Sequence, residues 1–191
     1  RNQQAIDIMK KQIERFDRTV LDLLELSRLD AGAEVSANEM VRLNDLIVRI
    51  MNRYGFGHVD YRTSVLASDG ESAGEDECLL DRRRIERVLV NLLENARDHA
   101  GGAHHVSLSL VSNSFILSVH DSGPGVASSE RMNIFNRFAR GTASRNSTGS
   151  GLGLAIVQEH ARALGGTVAV DQSVEGGATF SVTFPKIGSL A

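Results

Sequence analysis

Residues 91–96 read Asn-Leu-Leu-Glu-Asn-Ala, and this stretch does most to decide the fold. It lies within an apolar pattern over 81–99 that predicts a helix with leucines and valines on one face. Asn91 and Asn95 are four residues apart, so their amides share the other face. An amide oxygen is a neutral, hard ligand that Mg²⁺ accepts beside phosphate oxygens. The alternative is a pair of polar residues on a solvated helix surface.

Two glycine-bearing stretches follow. Asp121-Ser-Gly123-Pro-Gly125 comes after a predicted strand over 115–120, and its carboxylate is chemically matched to the exocyclic amine of adenine. The two glycines permit positive φ and the close approach of a ligand. Gly149-Ser-Gly-Leu-Gly-Leu opens a predicted helix over 151–164, where free N–H groups favour anions. Taken alone, the first is also an ordinary turn, and the second lacks Walker or Rossmann spacing.

The segment between these stretches predicts a short helix over 130–139 and a mobile loop over 140–150. Phe135 and Phe138 could anchor this loop as a lid that carries Arg137 and Arg140 over phosphates. The alternative is surface arginines beside core aromatics. Three weak signals in this order are far less probable by accident than any one, so they indicate an adenine-nucleotide site.

Composition is that of an ordinary globular protein. The 191 residues are 41% hydrophobic and 24% charged, with a net charge of -3 that gives no electrostatic case for nucleic acid. Cys78 is the only cysteine, so an intrachain disulfide is impossible and a reducing compartment is expected. No apolar run approaches the roughly 20 residues of a membrane span. Because residue 1 already lies inside a helical pattern, we expect a fragment of a longer protein.

Residues 5–29 predict one long helix with a heptad seam that ends at Gly32. The seam positions are Ile6, Met9, Ile13, Phe16, Val20 and Leu23. Such a helix either packs on its own domain or forms half of a helical hairpin that dimerises into a four-helix bundle.

The remaining pattern predicts an α+β sandwich: an antiparallel-rich sheet with helices on one face. Strand candidates lie at 41–43, 59–67, 78–80, 106–111, 115–120, 167–174 and 178–184. Asn44 is the expected N-cap of a helix over 45–54. Arg82-Arg-Arg84 and Arg87 form a basic cluster that is either a solvated helix start or a docking surface for an acidic partner. The six histidines are expected to be structural or surface residues, because no carboxylate or cysteine pattern frames them.

Together the stretches resemble the N box, first glycine box, F box and second glycine box of sensor histidine kinases, which share an ATP-binding superfamily with gyrase, Hsp90 and MutL. Gly176-Gly-Ala-Thr-Phe resembles the final strand motif of that family, and 16–32 resembles the second helix of its dimerisation hairpin. The resemblance implies a Bergerat-type sandwich with a mixed, largely antiparallel sheet. It divides the chain into a hairpin helix (1–31), a linker (32–40), a catalytic ATP-binding domain (41–187) and a tail (188–191).

The resemblance also implies roles for single residues. Asn95, assisted by Asn91, would hold Mg²⁺, and Asp121 would bind adenine. Arg137 and Arg140 would face the lid and the γ-phosphate as catalytic residues. The other nucleotide-binding residues that it implies are Asp98, His99, Gly123, Gly125, Val126, Phe135, Ser150, Gly151, Leu152, Gly153, Leu154 and Thr179.

Three positions depart from the family pattern. Asp98 stands where a basic residue is frequent and His99 where an aromatic is frequent, while Ser150 replaces a common threonine and keeps its hydroxyl. Arg97 points about 100° away from Asp98 on a helix and is no automatic substitute. The phosphoacceptor histidine motif is absent, and the helix that carries it would precede Arg1.

The expected function is therefore transfer of the γ-phosphoryl group of Mg-ATP to a histidine on a missing hairpin helix, and then to an aspartate of a response regulator. The fragment is expected to be cytoplasmic, and its parent a homodimeric membrane sensor that binds no nucleic acid. An ATPase or chaperone of the superfamily would carry a glutamate where Asn91 stands, because water activation needs a base. A serine kinase that acts on regulatory proteins typically also carries an acid there. A degenerate nucleotide-binding module is the third alternative.

Overall fold

The computed structural model describes residues 2–32, 36–65, 76–139, 150–173 and 176–187. In chain order the elements are α1 (Asn2–Asp30), β1 (Glu39–Arg42), α2 (Leu43–Arg53), β2 (Asp60–Val65), β3 (Glu77–Leu80), α3 (Arg82–Ala100), β4 (Ala103–Val111), β5 (Ser114–Asp121), α4 (Gly153–Ala163), β6 (Thr167–Gln172) and β7 (Ala178–Pro185).

The main sheet has five strands in the order β2-β4-β5-β7-β6. Only β2 and β4 pair in parallel, and the other neighbours are antiparallel. A separate two-stranded ribbon joins β1 to β3. This mixed, largely antiparallel sheet confirms the predicted α+β class.

The two faces of the sheet differ because side chains alternate along each strand. One face is apolar: Phe115 and Leu117 of β5 are fully buried and share one core with Leu89 of α3. The other face carries hydroxyls and imidazoles, where Ser118 bonds Ser181 at 2.8 Å. Burial of one face against helices is what places α3 and α4 beside the ends of β5 and β7.

Helix α3 has well-defined ends. The Asp81 carboxylate accepts a hydrogen bond from the Arg83 N–H at 3.0 Å and caps the helix start. Gly101 follows the last turn with φ of 77°, the left-handed conformation that favours glycine. These caps fix the helix that carries Asn91 and Asn95.

The predicted capping role of Asn44 is wrong. Helix α2 begins two residues earlier than predicted, at Leu43, and Arg42 occupies the N-cap position without a side-chain cap. Asp76, which is distant in sequence, accepts from the Asn44 N–H at 3.4 Å, while the Asn44 side chain accepts from the Tyr61 hydroxyl at 2.5 Å. A tertiary contact therefore replaces the local cap.

The predicted helix over 130–139 is also wrong: residues 128–138 form a succession of turns and bends. The Ile134 N–H bonds the Glu130 carbonyl at 3.0 Å, but the chain does not continue as a helix. Asn136 donates from its side chain to Asn133 at 3.3 Å, a local bond that competes with helical pairing. Phe138 adopts φ of 60°, which ends the turns. The predicted lid over 140–149 lies outside the described residues.

Helix α1 changes character along its length. In its first two thirds, seam residues such as Met9 and Phe16 are 63% and 68% exposed. Near its end, Leu26 is fully buried against Leu152 and Ile156 beside the start of α4. Among the described residues, no helix combines the length and apolar character that crossing a bilayer requires.

Candidate nucleotide-binding site

A cavity of about 370 Å³ lies between α1, α3, the loop after β5 and the start of α4. It brings together residues from all three sequence stretches. The predicted site residues that line it are Asn91, Asn95, Asp98, His99, Asp121, Gly125, Val126, Ser150, Gly151, Gly153 and Leu154.

Asp121 forms one end of the cavity, and its carboxylate is 5% exposed. Its Oδ1 atom accepts hydrogen bonds from the Gly123 N–H at 2.9 Å and the Ala178 N–H at 3.1 Å. Both bonds end on the same oxygen, which fixes the carboxylate in orientation. A fixed acceptor in a cavity that Val126, Ala178 and Phe180 also line is suited to a donor on a flat base.

Gly177 makes this arrangement possible. A Cβ at this position would lie 2.2 Å from the Asp121 carbonyl oxygen and 2.6 Å from its Oδ1, and the backbone φ is +81°. Only glycine therefore lets the start of β7 approach Asp121 closely enough for the Ala178 bond. This end of the cavity is formed by the loop after β5 and the start of β7, with Ala100 at the end of α3 against Gly123.

Asn91 and Asn95 line the middle of the cavity from α3. The Asn91 Nδ2 donates to the Arg87 carbonyl one turn earlier, at 2.8 Å. With Nδ2 directed back to its own helix, Oδ1 points toward α4, where a Cβ on Gly153 would lie 3.2 Å from it. The predicted metal-ligating oxygen thus faces the start of α4.

The other end of the cavity lies at the N-terminus of α4, where backbone N–H groups favour an anion. Gly151 has φ of +74°, and its carbonyl accepts from the Phe138 N–H at 2.8 Å. The Ser150 Oγ accepts from the Leu152 N–H at 3.2 Å and donates to the Asp22 carboxylate at 3.3 Å. Residues on both sides of the predicted lid therefore meet here.

Other predicted site residues lie outside the cavity lining. The Arg137 guanidinium donates to Asp30 of α1 at 2.5 Å. Phe135 packs edge-on against Phe180, with ring centroids 6.4 Å apart. Thr179 shares a 2.9 Å hydrogen bond with His120 on the open face of the sheet. Leu152 is buried under α1, Gly123 supports Asp121, and Arg140 lies outside the described residues.

Sequence reasoning did not place α1 at the cavity. Arg18, Leu21 and Asp22 line the cavity, together with Tyr54 and Arg87. The available signal was polar: Asp22 and Glu25 interrupt the apolar face of α1 at the spacing of one turn, which a plain coiled-coil seam does not explain. The predicted basic cluster does not act as one surface: Arg82 pairs with Glu39, whereas Arg87 pairs with Glu25 of α1.

Glu25 joins α1 to both helices beside the cavity. Its carboxylate accepts from the Arg87 guanidinium through two contacts and from His160 Nε2 of α4 at 2.8 Å. Burial opposes ionisation, but the bonds from His160 and Arg87 hold the pKa of Glu25 below its ordinary value. The bond from Glu25 raises the pKa of Arg87. Burial raises the pKa of Asp22, an effect that Arg87 and Ser150 offset in part.

Comparison with known proteins identifies this architecture. A family model described as histidine kinase-, DNA gyrase B- and HSP90-like ATPase matches residues 80–187. The chain belongs to this family. Within the family it corresponds to the ATP-binding catalytic region of a two-component sensor histidine kinase, as the named relatives and solved structures indicate.

Among curated relatives, the signal transduction histidine-protein kinase AfsQ2 of Streptomyces coelicolor is 32% identical over 95% of this chain and 33% of its own length. Sensor histidine kinase MtrB of Mycobacterium tuberculosis is 33% identical over 96% of this chain and 32% of its own length. The chain thus spans about a third of the curated relatives it matches.

Solved structures give the same result. Histidine kinase AdeS of Acinetobacter baumannii superposes with a TM-score of 0.67 at 25% identity, over 96% of this chain and 84% of that one. Full-length ShkA, solved in complex with AMPPNP, superposes with a TM-score of 0.72 at 26% identity, over 99% of this chain and 40% of that one.

Proposed function

We propose that the cavity binds Mg-ATP with adenine at Asp121 and the phosphates at the start of α4, between Asn95 and Gly153. The observation that carries this proposal is the Asp121 carboxylate, buried and oriented by two backbone N–H groups at one end of a cavity whose other end is a helix N-terminus. An adenine amine donates to the first end, and anionic phosphates suit the second.

The donor set fits a magnesium ion held jointly with phosphates. No group of three or more His, Cys, Asp or Glu side chains among the described residues could hold a metal. The amide oxygens of Asn95 and Asn91 would be the protein ligands, and phosphate oxygens and water would complete the octahedron, as is usual for Mg²⁺. The ion would supply neutralisation of phosphate charge.

We further propose that the region phosphorylates a histidine on a helical hairpin, and that a response-regulator aspartate then receives the phosphoryl group. Asn91 stands in the cavity where water activation would require a base, which favours transfer over hydrolysis. The exposed seam of α1, including Ile13 and Phe16, would pair with its hairpin partner and a second copy in a membrane-bound parent. Positioning and charge neutralisation would be the main sources of catalysis.

The base site is tested by binding of ATP and GTP to the purified chain. In Asp121→Asn, one oxygen that accepts from an amine becomes a donor, so we expect the preference for adenine over guanine to disappear. Asp171→Asn is the matched control, because this side chain is 77% exposed on β6. An undiminished preference in Asp121→Asn would place the base elsewhere.

The transfer step is tested by adding the parent protein's hairpin to the chain with radiolabelled ATP and Mg²⁺, and by measuring acid-labile phosphate. We expect label on the hairpin, its loss in Asn95→Ala, and little release of free phosphate. Fast hydrolysis without label on the hairpin would instead support an ATPase.

A further inference from the structure

The phosphate end of the cavity holds few described cations. Of the arginines and lysines that the structure describes, Arg18 and Arg87 line the cavity. Arg97 is not part of the lining: its guanidinium lies 5.7 Å from the centre of the Phe56 ring and bonds Glu94 and Asp98, which do line the cavity. Arg18 belongs to α1 and would leave with that helix, whereas Arg87 belongs to α3.

Arg87 lines the cavity one helical turn before Asn91, and it also lines a neighbouring depression together with Glu25 and His160. Its carbonyl accepts from Asn91, whose Oδ1 faces Gly153. Its guanidinium bonds Glu25, which also bonds His160 of α4. The side chain is 41% exposed, so solvent and ligands reach it.

Glu25 binds the Arg87 guanidinium in the way that a phosphate group would. A carboxylate that accepts through two oxygens from one guanidinium has the geometry that arginine offers to phosphate. Asp22, one turn earlier on α1, is bonded to Ser150 at the same end. The docked α1 therefore places the Asp22 carboxylate in the wall of the cavity, and through Glu25 it holds the Arg87 guanidinium from an adjoining depression.

We propose that Arg87 is a phosphate-binding residue of this site, and that Glu25 of α1 competes with the nucleotide phosphates for its guanidinium. This inference rests on the proposed function, because it assigns a cation of the described residues to the phosphates of the bound ATP. Binding of the triphosphate would release Arg87 from Glu25, and release of α1 would raise affinity for the triphosphate.

The test measures binding of ATP and adenosine to the full chain and its variants. Glu25→Gln removes the charge of the acceptor and weakens its bond to Arg87, so we expect ATP to bind several-fold tighter and adenosine to be unchanged. Adding Arg87→Gln in that background removes a charge-assisted bond, so we expect ATP affinity to fall about tenfold. We expect Arg87→Gln alone, in the wild-type background, to reduce ATP affinity by less, because ATP then no longer has to displace Glu25 from Arg87.

The double variant separates this role from a structural one. If the Glu25–Arg87 bond only holds α1 in place, Arg87→Gln changes nothing once Glu25 is already neutral, and that result would overturn the inference. Arg82→Gln is the control, since it removes the same charge from the exposed start of α3. If adenosine and ATP both fail to bind the wild type, the proposed function itself fails; if both bind and Asp121→Asn alters base preference, only the role of Arg87 is in question.

Discussion

The two ends of the cavity are built differently. The end at Asp121 is made by one domain, with backbone groups of the loop after β5 and of β7 fixed by close glycine contacts. The end at Ser150 is shared with α1, because Asp22 bonds Ser150 there, while Glu25 bonds Arg87 of α3 and His160 in the last turn of α4. Close steric contacts determine the end at Asp121. The end at Ser150 depends on charged residues of α1, and therefore on how α1 packs against the rest of the chain.

This difference teaches that recognition of the base and control by α1 can be located at separate ends of one cavity. A base site gains from rigidity, since a preorganised acceptor costs nothing to order. A phosphate site shared with α1 depends on the position of that helix. Substitutions at the Asp121 end should therefore cause steric clashes with large effects, and those at the Ser150 end should cause smaller, graded electrostatic changes.

The largest effect is expected at the rigid end, in Gly177→Ala. The added Cβ collides with Asp121 backbone and carboxylate, and alanine at positive φ is strained, so unfolding should become easier by about 2–5 kcal/mol. Nucleotide binding should be lost with it. Thermal denaturation and binding of a fluorescent ATP analogue measure both.

Gly176→Ala is the control for that prediction. Its φ is +85°, but a Cβ there would meet nothing within 4 Å, so only the backbone strain of about 1–2 kcal/mol applies. Equal effects of the two substitutions would show that the approach to Asp121 is unimportant.

Leu26→Ala should act on the shared end. Leu26 is fully buried in a small separate cluster, so the cost should lie near the lower limit for such truncations, about 2–3 kcal/mol. Because the cluster joins α1 to α4, we expect faster hydrogen exchange in 20–30 with little change in the main sheet. Leu24→Ala, at a half-exposed position, should leave exchange unaltered. Exchange that rises throughout the sheet would mean that α1 is part of one cooperative unit.

The contribution of Glu25 should depend on pH. Its pKa is lowered when α1 is docked, so its stabilisation is complete above the ordinary value of 4.5 and is lost as the pH falls through the lowered value. The difference in unfolding free energy between wild type and Glu25→Gln should be about 1–2 kcal/mol at neutral pH and vanish in acid. Urea denaturation at a series of pH values measures it. Glu14→Gln, exposed on the same helix, should show no such trend.

The smallest effect is expected for Asp22→Asn, and its sign is opposite. Burial raises the pKa of Asp22, so the ionised form costs stability as the pH rises through that value. Asparagine keeps the shape and can still bond Ser150, so the variant should be more stable at neutral pH by about 1 kcal/mol or less. The gain should disappear below pH 3.8, the ordinary value. Asp17→Asn is the exposed control, and a destabilised Asp22→Asn would indicate that the charge at Asp22 is needed.

Most of the fold could be predicted from sequence because its elements carry strong local signals. The alternation of β5 and the apolar stripe of α3 specify their own burial, and the glycines around Asp121 specify where backbones approach. The turns over 128–138 were mistaken for a helix, since side-chain bonds between Asn133 and Asn136 are not visible in an apolar pattern.

The lining of the cavity was predictable where one segment supplies it and not where two distant segments meet. Asn91, Asp121 and Gly151 each lie in a local motif, and they line the same cavity, while their roles toward a nucleotide stay predictions. Glu25 and Arg87 are 62 residues apart, and nothing in either segment names the other. Arg137 is a cation in the expected segment, but its pairing with Asp30 depends on how α1 packs and could not be predicted from that segment.

The bond between Glu25 and Arg87 also has a consequence for energy transfer through the parent chain. Under the proposed competition, α1 and the nucleotide are linked ligands of one guanidinium. Thermodynamic reciprocity then requires that the factor by which ATP loosens α1 equals the factor by which withdrawal of α1 tightens ATP. A displacement of α1 that originates elsewhere in the parent chain would thus change the occupancy of the cavity, and the same coupling free energy would set both effects.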